Sequence, residues 1–256
     1  MSDPDRTEAA VREWLHAAGR ITFLTGAGIS TDSGIPDFRG PQGLWTKDPS
    51  AQAMFTLQDY LADPDVRARA WRQRLDHAAW DARPNAGHEA IAALDATGRL
   101  RAVVTQNIDG LHQASGVAPE RVIEIHGTLR EVECLACGAR GPMRTALDRV
   151  EAGEPDPACS TCGGLQKSAT ISFGQALVRE VVDAAVEAVR DCDVLVTAGT
   201  SLSVQPAASL ADIAQGAGAR LVVLNAEPTP YDAQADAVLS EPLGSLLPRL
   251  LAVGRG

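Results

Sequence analysis

Five short apolar runs punctuate this chain: Ile21–Thr25, Ala102–Thr105, Val122–Ile125, Val194–Ala198 and Leu221–Leu224. They are rich in β-branched residues and too short for helices, which predicts buried strands. Helix-period stretches separate most of them. Val178, Val181, Val182, Ala185, Val186 and Val189 fall at i, i+3, i+4, i+7, i+8 and i+11, on one face of a helix. The segment PNAGHEAIAALDATG opens on a proline and stops at Gly98. Strands alternating with helices predict an α/β fold with a doubly wound parallel sheet. Two segments stand outside the alternation. Residues 41–83 hold Trp45 and the helix-like DPDVRARAWRQRLDHAAW, and residues 127–174 hold two pairs of cysteines. The expected organisation is a sheet domain made of residues 1–40, 84–126 and 175–256, with those two insertions forming a smaller helical and cysteine-bearing lobe.

The strand exits read GAGIS, QNIDGLH, HG, GTS and NAE in chain order. Small, polar and potentially catalytic residues therefore gather at the carboxyl ends of the strands, where open α/β sheets bind ligands. At the first exit, Gly26-Ala27-Gly28 would let backbone N–H groups approach a diphosphate. Thr31 occupies the place of the third glycine of the dehydrogenase fingerprint, so that fingerprint is not supported, and the Gly-x-Gly alone is equally compatible with a tight turn.

Composition narrows the partners. With 45% hydrophobic and 22% charged residues, the 256-residue chain is an ordinary globular one. A formal net charge of -10, with no run of five like charges, disfavours nucleic-acid binding through phosphate neutralisation and suits a basic peptide. No apolar run approaches the roughly 18–20 residues needed to span a bilayer. The start, MSDPDRTEAA, lacks an apolar signal core, so cytoplasmic residence is expected.

Four of the five cysteines form the pattern C-x2-C-x21-C-x2-C: Cys134, Cys137, Cys159 and Cys162. Each knuckle can present two thiolates to one tetrahedral Zn²⁺, and four sulfurs leave no open coordination position, so the zinc is expected to be structural. The alternative is two unrelated pairs of buried thiols. Cys192 is expected in the core. Among the histidines, His16, His77 and His88 fall in helical patterns and are expected to be satisfied surface or packing residues, and His112 to fix its own loop. His126 follows a strand directly and precedes a glycine at the ligand edge, which makes it a candidate general base.

Several segments follow one another in a set order: GAGISTDSGIPDFRG, GLW (Gly43–Trp45), TQNIDGLH (Thr105–His112), HG (His126–Gly127), the paired cysteines, GTSL (Gly199–Leu202) and NAEPT (Asn225–Thr229). Together they closely resemble the sirtuin family of NAD-dependent protein deacylases, in its bacterial type. The resemblance implies a Rossmann-like NAD-binding domain, NAD and zinc as cofactors, and acyl-lysine proteins or peptides as partners. Gly26, Ala27 and Gly28 would hold the NAD diphosphate, and Gly199, Thr200 and Ser201 would reach the phosphates. Phe38 would shield the ribose C1′ after nicotinamide leaves, and Arg39 would order its loop on the cofactor. Ser30 would lie near the site, Gln106 would meet the ribose, and Asn107 would orient ribose and water. Asp109 would hold the nicotinamide carboxamide, and Asn225 and Glu227 would serve the adenosine end. In the implied reaction the acyl oxygen of a modified lysine attacks C1′, His126 acts as general base on the ribose hydroxyls, and lysine and O-acyl-ADP-ribose are released. Phe173, Gly174 and Gln175 on one side and Ser203 and Val204 on the other would clamp the peptide as an added strand.

A protein mono-ADP-ribosyltransferase shares the loss of nicotinamide and is the alternative reading, although His126 and the complete TQNIDGLH favour deacylation. A non-catalytic NAD sensor or zinc scaffold is a third, against which the intact catalytic set stands. The chain also departs from the family. Sirtuins commonly carry Pro-Asp and a later acid where QKSATISFGQ has Ser168-Ala169 and Gln175, which leaves peptide preference open. Members that prefer acidic acyl groups carry Tyr-x-x-Arg, and here Trp71 and Arg74 stand at that spacing. Arg74 is either solvated on its helix face or turned to the acyl pocket, where it could pair with a succinyl carboxylate. Deacetylation is expected as the main activity, with acidic acyl groups accepted weakly.

Overall fold

The computed structural model describes residues 4–37 and 49–252. Nine strands occur among them: β1 (Ile21–Thr25), β2 (Leu100–Thr105), β3 (Val122–Glu124), β4 (Gly127–Cys134), β5 (Arg140–Pro142), β6 (Gln166–Thr170), β7 (Val194–Ala198), β8 (Arg220–Leu224) and β9 (Ala237–Leu239). Six of them form one parallel sheet in the order β3-β2-β1-β7-β8-β9. This is the doubly wound Rossmann-like order, with its reversal between β1 and β7. All five expected strands are present. The sixth, β9, is a three-residue run paired to Val222–Leu224, too short to announce itself in the sequence.

Strand residues alternate between two apolar layers, as the pleat requires. Ile21, Phe23, Val103, Val196 and Val222 pack against the helices Pro4–Ala17, Ala86–Asp95 and Leu243–Leu251. Leu24, Val104, Leu195, Leu221 and Val223 pack against Arg179–Arg190 and Ser209–Gly216. Thr22 is wholly buried on that second side and donates to the Ala188 carbonyl at 2.9 Å, which satisfies its hydroxyl. Val178 differs from expectation. It precedes the helix and is exposed, and only Ala185, Ala188 and Val189 of that helix are fully buried. Asn85 caps the next helix, taking the Gly87 N–H at 2.9 Å, while His88 returns a bond to Asn85 in a capping box. His77 also caps, accepting from Ala79, so it lies before a short turn and not within a helix. His16 is exposed on its helix, whereas Cys192 is buried.

A second, antiparallel sheet, β5-β4-β6, belongs to a smaller lobe. Its apolar cluster joins Trp71 and Ala79 to Leu129, Val132, Met143 and Leu147, so the helix Pro64–Leu75 and the helix Met143–Glu151 share one core with β4. This sheet escapes a reading of apolar periodicity because β6 is Gln-Lys-Ser-Ala-Thr, buried along its whole length. No helix among the described residues is long and apolar enough to cross a membrane.

At the sheet reversal, backbone meets backbone. A Cβ on Gly28 would lie 2.7 Å from Gly199 Cα, and one on Gly199, whose φ is +65°, would lie 2.4 Å from Ile29 N. Gly28 N–H donates to Gly199 O at 2.9 Å across the same gap. Gly199→Ala should therefore combine a left-handed residue with a backbone clash, lowering stability by about 2 kcal/mol or more. Thermal denaturation checks this. A melting temperature within a degree of the parent would contradict the packing.

Candidate functional site

The site is assembled from the carboxyl ends of β1, β2, β3 and β7. After β1 the chain turns tightly through Ala27–Ile29 and Thr31–Ser33 and closes on Gly34 at φ +84°. Ser30 is thereby buried, and its hydroxyl donates to Asp109 Oδ2 at 2.8 Å. Asn107 Nδ2 donates to Gly26 O at 3.1 Å and to Ser30 Oγ at 3.2 Å. Asp109 Oδ1 accepts from Leu111 N at 2.9 Å. Gln106 Nε2 donates to Thr200 Oγ1 at 2.8 Å, tying the β2 exit to the β7 exit. Ser30, Gln106, Asn107, Asp109 and Thr200 thus form one connected polar network with the Gly26–Gly28 turn. Within the described residues, the N–H groups of Ala27, Thr200 and Ser201 have no hydrogen-bond partner. Those donors sit at a glycine-lined sheet reversal, the chemistry a diphosphate needs.

His126 lies in the two-residue turn between β3 and β4 and enters the same edge. Its Nδ1 lies 3.1 Å from the Gln106 carbonyl, which can only accept, so Nδ1 carries the proton and Nε2 keeps its lone pair. Nε2 has no partner among the described residues. Burial lowers the imidazole pKa below its ordinary 6.5, with the Gln106 bond opposing, so the ring is neutral at pH 7. Gly127 fixes the exit. Its φ is +73°, and a Cβ there would lie 2.1 Å from Ala169 O.

Beneath this edge lies a layer that the motif reading overlooked. Thr25 and Thr105 are register partners in adjacent strands, and Thr25 Oγ1 donates to Thr105 Oγ1 at 2.8 Å. Thr25 therefore accepts from His112 Nε2 at 2.9 Å, leaving His112 Nδ1 buried without a partner. Thr105 Oγ1 in turn receives the Asn107 N–H at 3.0 Å. Asn85 Nδ2 holds Ile29 O at 2.8 Å and Ser33 Oγ at 2.9 Å, and Arg130 holds the Asp109 carbonyl at 2.8 Å. A threonine closing each of two neighbouring strands was the available signal. Arg130 had none.

Other expected residues lie apart from this network. Phe38 and Arg39, like Gly43–Trp45, fall outside the described residues. Phe173 is 42% exposed, and its N–H and C=O are taken by Phe55 and Leu57 in a bridge between the two insertions of the smaller lobe. Gly174 follows at φ +81°, and Gln175 Oε1 accepts the Ser172 N–H at 3.2 Å. Ser203 meets Ser201 at 2.6 Å, with Val204 half-buried beside it. Asn225 at the β8 exit donates to the Glu227 carbonyl at 2.7 Å, while Glu227 itself is exposed. Trp71 and Arg74 are buried in the smaller lobe, so the solvated alternative for Arg74 does not hold.

The four cysteine sulfurs lie within 4.8 Å of one another. Each knuckle closes on a left-handed glycine: Gly138 N–H reaches Cys134 O at 2.9 Å, and Gly163 N–H reaches Cys159 O at 2.8 Å. Ala136 N–H and Gly164 N–H donate to Cys134 Sγ and Cys162 Sγ, each at 3.4 Å. Backbone bonds from Thr161 and Cys162 bring the Cys159 thiol down to about 6, in favour of thiolate. Four converging sulfurs with N–H···S support fit a closed tetrahedral Zn²⁺ site. Metal binding then contributes to folding of this lobe, and Cys134→Ala or a strong chelator should lower its melting temperature and release zinc. A zinc-free variant with unchanged stability would refute a structural role.

Residues 26–206 match the model of the Sir2 family. The NAD-dependent protein deacetylase 2 of Streptomyces coelicolor is 54% identical over 231 residues, 90% of this chain and 96% of that protein. The NAD-dependent protein deacetylase of Rhodopseudomonas palustris is 40% identical, covering 91% of this chain and 90% of its own length. Among solved structures, a Sir2 complex with deacetylated p53 peptide and 3′-O-acetyl ADP-ribose superposes with a TM-score of 0.87 at 31% identity, over 97% of this chain and 98% of that one. The ordered motifs, the reversed parallel sheet and the four-sulfur knuckles thus have a common explanation: the chain belongs to the Sir2 family, the sirtuins.

Proposed function

We propose that this chain is an NAD-dependent protein-lysine deacylase, with acetyl-lysine as its main substrate. The observation that carries the reading is a neutral His126 presenting an unpartnered Nε2 at the edge where Gln106, Asn107, Asp109 and Thr200 are already hydrogen-bonded together. NAD, when bound, supplies an ADP-ribosyl group that accepts the acyl group as nicotinamide departs. Gly26, Ala27 and Gly28 would hold its diphosphate together with Gly199, Thr200 and Ser201, and Asn225 and Glu227 would serve the adenosine end.

His126 would take up a proton at Nε2 from a ribose hydroxyl of the bound cofactor, and the Gln106 carbonyl would steady the charged ring through Nδ1–H. Asn107 orients the ribose and a water, Asp109 takes the carboxamide, and Ser30 holds Asp109 in place. The peptide enters as a strand between Phe173–Gln175 and Ser203–Val204. Phe173 already gives its backbone groups to the Phe55–Leu57 segment, whereas Gly174 N–H and C=O make no hydrogen bond among the described residues. Main-chain pairing there is consistent with a substrate bound largely through its backbone.

Trp71 and Arg74 bear on acyl preference. Arg74 donates to Ser168 Oγ at 3.3 Å and to Gln73 Oε1 at 3.0 Å, within a lobe that Trp71 fills. The cavity beside them, about 10 Å³, is too small for an acidic acyl chain, which favours a short neutral one.

Labelled NAD with an acetyl-lysine peptide tests the assignment. Free lysine peptide and labelled O-acetyl-ADP-ribose are expected, while labelled protein or no turnover would overturn it. His126→Ala should reduce deacetylation by about 10²–10⁴-fold with NAD binding retained. Near-parental turnover in that variant, measured alongside calorimetric NAD binding, would remove His126 from the reaction.

A further inference from the structure

In the smaller lobe, away from the sheet reversal, two cations are buried together without an anion. Arg74 in the helix Pro64–Leu75 is 6% exposed and Lys167 in β6 is 4% exposed, and both line one small, partly open cavity with Trp71, Tyr60 and Ser172. Neither has a carboxylate within ion-pair distance among the described residues. The nearby acids are engaged elsewhere: Glu133, opposite Lys167 in register, pairs with Arg140 at 3.2 Å, and Asp156 pairs with Arg67 at 2.6 Å.

The hydrogen bonds these cations do make leave donors over. Arg74 uses Nε and Nη1 and lies over the Phe55 ring, 5.4 Å from its centroid, while its Nη2 makes no hydrogen bond among the described residues. Lys167 donates to the Ser168 and Thr170 carbonyls, which leaves one of three N–H groups. The Trp71 indole N–H is buried beside the Tyr60 hydroxyl and makes no well-formed hydrogen bond among the described residues. Tyr60 gives its proton to the Gln166 carbonyl at 2.7 Å. The surplus in this cavity is therefore of donors and positive charge. Burial lowers the Arg74 pKa to about 10 and that of Lys167 to about 8, yet both stay charged at pH 7. Two desolvated like charges are strongly unfavourable unless an anion joins them.

We propose that Arg74, Lys167 and the Trp71 indole hold a small inorganic anion of the halide class, which ties the helix Pro64–Leu75 to β6. Size selects the class. The cavity has a volume of about 10 Å³, room for one water-sized particle and not for the carboxylate end of an acyl chain. The site is independent of the deacylase reading, because its anion stabilises the lobe whether or not the chain turns over NAD.

The test is chloride dependence of thermal stability. The full chain, exchanged into methanesulfonate buffer, is titrated with chloride at constant ionic strength, and bromide is compared. A saturable rise of the melting temperature by several degrees, produced by both halides, is expected, as for any ligand bound by the native state alone. Lys167→Met should abolish the rise. Crystals soaked in bromide should show an anomalous peak between the Arg74 guanidinium and the Lys167 ammonium, which decides the matter even if the variant does not fold. Equal stability in chloride and methanesulfonate, parallel rises in parent and variant, or no bromide peak would overturn the site. A selective loss of desuccinylation over deacetylation in Lys167→Met, without halide dependence, would assign the cations to the acyl chain and overturn it as well.

Discussion

The close approach of two backbones at the sheet reversal governs the rest of the molecule. Gly26 and Gly28 leave β1 against Gly199 leaving β7, with Gly26 N–H on Ala198 O and Gly28 N–H on Gly199 O. No side chain fits in that gap. Because the turns are pressed together, Gln106 reaches Thr200 and Asn107 reaches Gly26 O, and the polar network closes. A wider reversal would separate the β2 exit from the β7 exit and leave Ser30 and Asp109 without the geometry they share. Three glycines thus fix the site by what they lack.

The large sheet and most of its chemistry were legible because they follow local rules. Apolar runs such as Ile21–Thr25 and Val194–Ala198 are strands at those bounds. The helix that opens after Pro84 and the two cysteine knuckles each lie within a short stretch, where spacing determines geometry. What escaped was tertiary. β6 is polar by composition and buried by position, so no periodicity signals it. The Thr25–Thr105–His112 layer exists only once β1 and β2 are in register. Arg130 joins Asp109 from β4 across the lobes, and sequence offers nothing to link them.

The two lobes meet where substrate is expected. Ile171 N–H donates to His126 O at 2.8 Å, so the chain beyond β6 runs from the buried cations toward the edge that holds His126. The strand that carries Lys167 and Ser168 also continues into Phe173 and Gly174. Ordering of β6, through the zinc knuckles at one end and an anion alongside, is therefore transmitted to the peptide groove through a continuous backbone.

The account rests on one protonation state: His126 neutral, with its proton on Nδ1 toward Gln106 O and Nε2 open. Nitrogen-15 NMR of the imidazole across a pH titration reads this directly. Predicted are the Nδ1–H tautomer at pH 7 and a titration midpoint below 6.5, since burial opposes the charged ring. An Nε2–H tautomer, or a ring still protonated at pH 7, would contradict it.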